Sequence, residues 1–163
     1  MILNEKLTKA LNDQVNAEYY SAYLYLTMSA FAECSAYKGA AKWLFAQAKE
    51  EMTHGTRIYQ YILERGASPS FAGIPLPPVS FTGMKDIFEQ VLAHEKKVSE
   101  SLNKIATLAM QENDHACYQF MMWFVNEQVE EEANAADITG KIQLADGNKS
   151  LLLFIDNKLG ERD

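Results

Sequence analysis

All four prolines of this 163-residue chain fall within sixteen residues, Ala67 to Thr82. Proline fixes its own φ, lacks an N–H and pushes the preceding residue out of the helical region, so this stretch cannot be helix. On either side, apolar residues recur at helical spacing with little interruption. The pattern predicts an all-α chain: two long helices, one extended crossing, then two more helices. Sixteen extended residues reach roughly 50 Å at about 3.3 Å each. A helix of about 29 residues is roughly 43 Å long. The crossing can therefore span a whole helix and restart at its far end, which makes the second and third helices parallel.

The first helical pattern runs from about Asn4 to Glu33, with the stripe Leu7, Leu11, Gln14, Glu18, Ala22, Tyr25, Ser29. The break at 34–39 is short enough to imply an antiparallel neighbour. The second pattern spans about Tyr37 to Arg65. Leu44, Glu51 and Ile58 are spaced by sevens, as are Gln47, His54 and Tyr61, and Gly66 supplies a left-handed stop. The third begins near Met84, with Thr82 as the expected cap, and its stripe is Phe88, Val91, Glu95, Val98, Leu102, Ile105, Ala109. The fourth follows a cap at Asn113 or Asp114 and reads Cys117, Met121, Phe124, Gln128, Glu131, Ala135, Ile138, Ile142, with Gly147 closing it. Asn148 is placed to cap a short fifth helix carrying Leu151 to Ile155. Residues 1–163 are thus expected to form a single domain, a four-helix bundle with one long crossover between helices 2 and 3 and a short C-terminal helix.

A formal net charge of −7 argues against a nucleic-acid surface and suits attraction of cations. No apolar run approaches membrane-span length, and the N-terminus lacks signal-peptide architecture. Cys34 and Cys117 lie in no Cys-x-x-Cys pattern. They read as reduced thiols of a cytoplasmic protein.

The informative anomaly is polar. Glu18, Glu51, Glu95 and Glu131 each occupy a core slot about 11 to 16 residues into their own helix. Helices of similar length share mid-points whichever way they run, so the four carboxylates converge in one layer with His54 and Gln128. An isolated buried carboxylate costs several kcal/mol, and four together repel. The stripes place no Lys or Arg at this level. A protonated polar network or a solvent-open crevice would relieve the conflict, and so would a pair of divalent cations. Carboxylate and imidazole ligands suit iron, manganese or zinc. Known ferritin-like dimetal bundles take a Glu from each of two helices and Glu-x-x-His from the other two. This chain has Glu51-x-x-His54 but Gln128-x-x-Glu131 in place of the second.

Asn16 to Tyr25, Glu50 to His54 and Trp123 to Glu132, together with the crossover and fifth helix, resemble prokaryotic non-haem ferritins from end to end. The resemblance implies a ferritin-like fold and ferroxidase activity, with two irons per chain. Glu18, Glu51 and His54 would hold one iron. Glu51 would bridge to a second, held also by Glu95 and Glu131, with Gln128 near the oxidant. A third iron would correspond to Glu50, Glu127 and Glu130, although read from the residues alone these are acidic side chains beside the stripe. Tyr25, two turns from Glu18, would be a redox neighbour supplying an electron, where spacing alone gives a hydrogen-bonded core tyrosine. Oxygen or hydrogen peroxide would be the oxidant, and self-assembly into a homo-24-mer would provide the iron store. In such a shell the fifth helices meet at four-fold axes; the Leu151–Ile155 run could equally cover its own bundle. No haem is expected: a haem-binding bacterioferritin would share a methionine at Met52 but carry His at the place of Glu131. A non-storage di-iron oxidase or peroxidase is the other alternative. Trp123 reads as a buried bundle residue, and His94 and His115 as exposed or capping histidines.

Overall fold

The computed structural model describes residues 2–161, and among these there are five helices and no strand. They are α1 (Glu5–Cys34), α2 (Lys38–Glu64), α3 (Met84–Gln111), α4 (His115–Ala145) and α5 (Lys149–Leu159). α1 packs along α2, α3 packs along α4, and α5 lies across the ends of α2 and α4. Each start has a local chemical reason. The Asn4 side chain accepts from the Leu7 N–H, Asp114 from Cys117, and Asn148 from Ser150 and Leu151, so side chains satisfy donors that the first turn leaves open. Thr82, the expected cap of α3, is displaced by Gly83 with φ 147°, while the Thr82 N–H donates to Asp86 at 2.8 Å. The cap position demands a backbone conformation that threonine resists.

The start of α2 is capped from a distance. Its own preceding residue, Tyr37, makes no side-chain cap. Instead the buried Asp156 carboxylate of α5 accepts from the Gly39 and Ala40 N–H groups at 3.1 and 2.7 Å. A Cβ on Gly39 would lie 1.7 Å from the Asp156 carbonyl oxygen, so only glycine permits this approach. α5 thereby covers its own bundle with Asp156 and Leu159, whereas Leu151, Leu153 and Phe154 on its other side remain exposed.

The proline segment runs beside α1. Asn12 accepts from the Ser70 N–H at 2.6 Å, and Asn16 accepts from Ala72 at 3.0 Å. Further along, Phe81 is buried against Phe31. The crossing thus travels in the direction of α1 and delivers α3 to the end where α1 finishes. α3 is parallel to α2, as the length argument requires.

Two apolar clusters fill the bundle. One holds Tyr25, Met28, Leu44, Phe88, Val91 and Ile138, and the other Leu7, Leu11, Ile58, Leu102, Met121 and Phe124. Burying each such side chain stabilises the fold by about 1.5–3 kcal/mol. Between the clusters the interior turns polar.

Candidate metal centre

That intervening layer contains Gln14, Glu18, Gln47, Glu51, His54, Glu95, Ser99 and Gln128, all buried. Glu18, Glu51 and His54 each present a ligand atom within 4.8 Å of the others. His54 Nδ1 is 3.5 Å from Glu51 Oε2. Helical spacing sets this up: residues three apart share a face of α2, and α1 lies close enough to add Glu18. The close approach depends on Gly55, where a Cβ would come within 2.7 Å of the Tyr19 ring and 3.3 Å of Glu18 Cβ.

Glu95 and Glu131 belong to the same neighbourhood but are turned toward donors. Glu95 accepts from the Tyr25 hydroxyl on one oxygen and from Gln128 Nε2 on the other, at 2.9 Å for the latter. The half-buried Glu131 accepts from Gln47 Nε2 at 2.8 Å. Tyr25 therefore sits against the carboxylate layer as its two-turn spacing from Glu18 implies. Glu50 and Glu127 are half-buried and Glu130 is exposed. Among the described residues, only Glu18, Glu51 and His54 form a group of three that close.

The electrostatics are those of a crowded acidic interior. Burial, with Glu51 alongside, holds the Glu18 carboxyl well above the ordinary carboxylate range. Burial and the nearby Glu95, Glu131 and Glu50 push Glu51 up to about 8. Tyr25 is raised by burial and by Glu95. Among the described residues no lysine or arginine pairs with Glu18, Glu51 or Glu95. Glu18 Oε2 and Glu51 Oε2 are buried without a hydrogen-bond partner. An orphaned buried carboxylate oxygen is costly. Two such oxygens beside an imidazole nitrogen fit a divalent first-row metal, and the ion would displace their protons.

His54 is held from outside by aromatic edges. Trp123 and Phe124 meet its ring edge-on at 5.5 and 5.9 Å, and the Arg57 guanidinium covers Trp123 at 3.8 Å. Trp123 is half-buried, not the buried bundle residue expected of it. His115 is exposed on the first turn of α4, but His94 is not exposed. It is half-buried between Tyr20 and Tyr25, bonded to Ser21 Oγ at 2.8 Å, and burial lowers its pKa. Its packing partners come from α1, which spacing within α3 cannot report. Met52 is half exposed on α2.

Spacing sets Gln14 and Gln47 on the buried stripes without giving them a role, and it passes over Ser99 and Ser101. Gln14 stands four residues before Glu18, its partner, and that spacing was the available signal; Gln47 stands four before Glu51 but donates to Glu131 of α4, which spacing within α2 does not report. The serines were legible only once α3 was in place.

Comparison with known proteins agrees with this architecture. A family model described as the ferritin-like domain matches residues 8–145. The bacterial non-heme ferritin of Staphylococcus aureus is 36% identical over 162 residues, covering 99% of this chain and 97% of the relative. That of Staphylococcus saprophyticus is 42% identical over 132 residues, 81% of this chain and 79% of the relative. Among solved structures, the open pore ferritin of the archaeon Archaeoglobus fulgidus superposes with a TM-score of 0.97 at 40% identity, covering 99% of both chains. With a family model spanning most of its length and relatives matched nearly end to end, the chain belongs to the ferritin family.

Proposed function

We propose that this chain is the subunit of an iron-storing ferroxidase, a single domain over residues 1–163. The observation that carries the reading is the polar layer at mid-bundle, where Glu18 and Glu51 keep orphaned oxygens beside His54 and, among the described residues, no lysine or arginine neutralises them. Fe(II) is the substrate. Glu18, Glu51 and His54 would hold the first ion. Glu51 would bridge to a second, for which Glu95 and Glu131 would turn from Tyr25, Gln128 and Gln47 toward metal. Glu50, Glu127 and Glu130 would serve a third, more exposed position. The non-haem reading is supported by the Staphylococcus relatives, which are non-heme ferritins.

Binding Fe(II) displaces the protons that Glu18 and Glu51 retain in the metal-free protein. Oxidation of two Fe(II) releases two electrons, and with two protons these reduce oxygen to hydrogen peroxide or a peroxide to water. The carboxylates stabilise the added positive charge of the Fe(III) product. Tyr25, hydrogen-bonded to Glu95, stands where its electron, added to three from three Fe(II), would complete the four-electron, four-proton reduction of oxygen to two waters. Gln128 offers a weak amide ligand where other dimetal bundles carry the glutamate of their second Glu-x-x-His, which favours departure of product iron toward a store. Storage needs a container, and the exposed Leu151, Leu153 and Phe154 of α5 support self-assembly into a 24-subunit shell of copies of this chain. The setting is cytoplasmic; among the described residues no helix is long and apolar enough to cross a membrane.

Anaerobic Fe(II) titration followed by oxygen tests the reading. It expects about two tight Fe(II) per chain, oxygen uptake on exposure, and loss of both in Glu51→Ala. Fe(II) uptake unchanged by that substitution would place the iron elsewhere.

A further inference from the structure

Three buried glutamines surround the carboxylate layer, and each directs its Nε2 group at one carboxylate. Gln14 donates to Glu18 Oε1 at 2.8 Å, Gln47 to Glu131 Oε2 at 2.8 Å, and Gln128 to Glu95 Oε2 at 2.9 Å. Glu51, whose Oε2 is unpartnered, receives none of these amides. An amide can point either end at a neighbour, so something must fix its sense. For Gln14 that is Ser101 of α3, whose hydroxyl donates to Gln14 Oε1 at 2.5 Å. Turning the amide over would set its carbonyl oxygen against the Glu18 carboxylate and strand the Ser101 proton. The two oxygens of Glu18 are consequently unequal: Oε1 is engaged, and Oε2 is left bare and buried.

We propose that Gln14, oriented by Ser101, is a positioning residue that holds Glu18 so that it presents one oxygen, Oε2, to a metal ion. The role follows from the dimetal function proposed above. Outer partners of ligating carboxylates set their orientation, and losing one commonly weakens metal binding 10- to 100-fold. Gln14 is fully inside the bundle. Ser101 is half-buried at the wall of a groove between α1 and α3 that also includes Asp13 and Lys104. Removing its hydroxyl therefore alters the orientation of Gln14 without opening the core. Glu51, which none of these glutamines engages, likewise leaves Oε2 unpartnered.

Co(II) titration of metal-free protein, followed by its visible d–d absorption, tests this. Parent protein should take up two Co(II) per chain. Gln14→Leu should weaken one of the two positions by about tenfold or more and change its band shape, leaving the other position near parental affinity. Ser101→Ala should shift the same position less, because the amide survives but is free to turn, and Ser101→Thr should restore the parental spectrum. A merely structural loss would not single out one position or be rescued by a hydroxyl. Parental affinities and spectra in both Gln14→Leu and Ser101→Ala would overturn the proposal. If the parent binds no Co(II), the dimetal reading fails, and the positioning role fails with it.

Discussion

Glu51→Gln should make the metal-free protein less sensitive to alkaline pH. Glu51 has an ordinary value of 4.5 when unfolded and is pushed up to about 8 when folded. Its folded-state pKa is raised, so below pH 4.5 both states hold the proton and nothing is lost. As pH climbs toward 8, the unfolded chain releases its proton while the folded chain retains it, and stability falls. At about 1.4 kcal/mol per pH unit, the loss between pH 5 and pH 8 is roughly 3–4 kcal/mol from this group. The amide introduced by the substitution cannot titrate, and being neutral it also relieves Glu18, which Glu51 helps to raise. The assay is urea unfolding of chelator-treated protein at both pH values and equal subunit concentration. With a slope of roughly 1–3 kcal/mol per molar urea, the parental midpoint should drop by about 1 M or more from pH 5 to pH 8. The variant should lose much less, and adding Zn(II) at pH 8 should rescue the parent but not the variant. An equal drop in both proteins would refute the argument that the layer is a buried, uncompensated acid cluster.

Other substitutions probe how that layer is held. Gly39→Ala drives a Cβ into the Asp156 backbone and should detach α5, read as loss of hydrogen-exchange protection there; Asp156→Ala should remove only the remote cap, costing about 1–2 kcal/mol. Gly55→Ala pushes Tyr19 and Glu18 away from α2, so calorimetry should find Zn(II) affinity lowered about tenfold or more at unchanged helix content. Asp114→Ala removes both the α4 cap and the largely buried partner of Arg65, for about 2–3 kcal/mol in chemical unfolding; Asp114→Asn, which still accepts from Cys117, should recover roughly 1 kcal/mol.

Much of this molecule is legible in the sequence because helices convert spacing into direction. The confinement of the prolines to 67–82 and the series Leu44, Glu51, Ile58 are enough to reach a bundle whose mid-level is acidic. Glu18, Glu51, His54, Glu95 and Gln128 are all buried in that layer, and Glu131 is half-buried beside it. What spacing cannot supply is contact between helices. The Asp156 carboxylate reaching Ala40, Ser101 locking Gln14, and Asn12 reading the backbone of Ser70 each join residues distant in the chain. The seating of His94 against Ser21 and Tyr25 is hidden for the same reason. Gly55 looks like an ordinary helix weakness until Tyr19 is seen against it. At α3 the local rule misleads: Thr82 is the better capping side chain, but the turn needs the conformation that Gly83 supplies.

The most direct test of the account is aerobic loading of metal-free protein with excess Fe(II), followed by size-exclusion chromatography with iron counted in the protein peak. An iron-storing shell requires iron far beyond two or three per chain, co-eluting as Fe(III) with a particle of about 24 subunits. Iron held at about two per chain in a small species would keep the dimetal centre but contradict storage, leaving a non-storage di-iron oxidase or peroxidase.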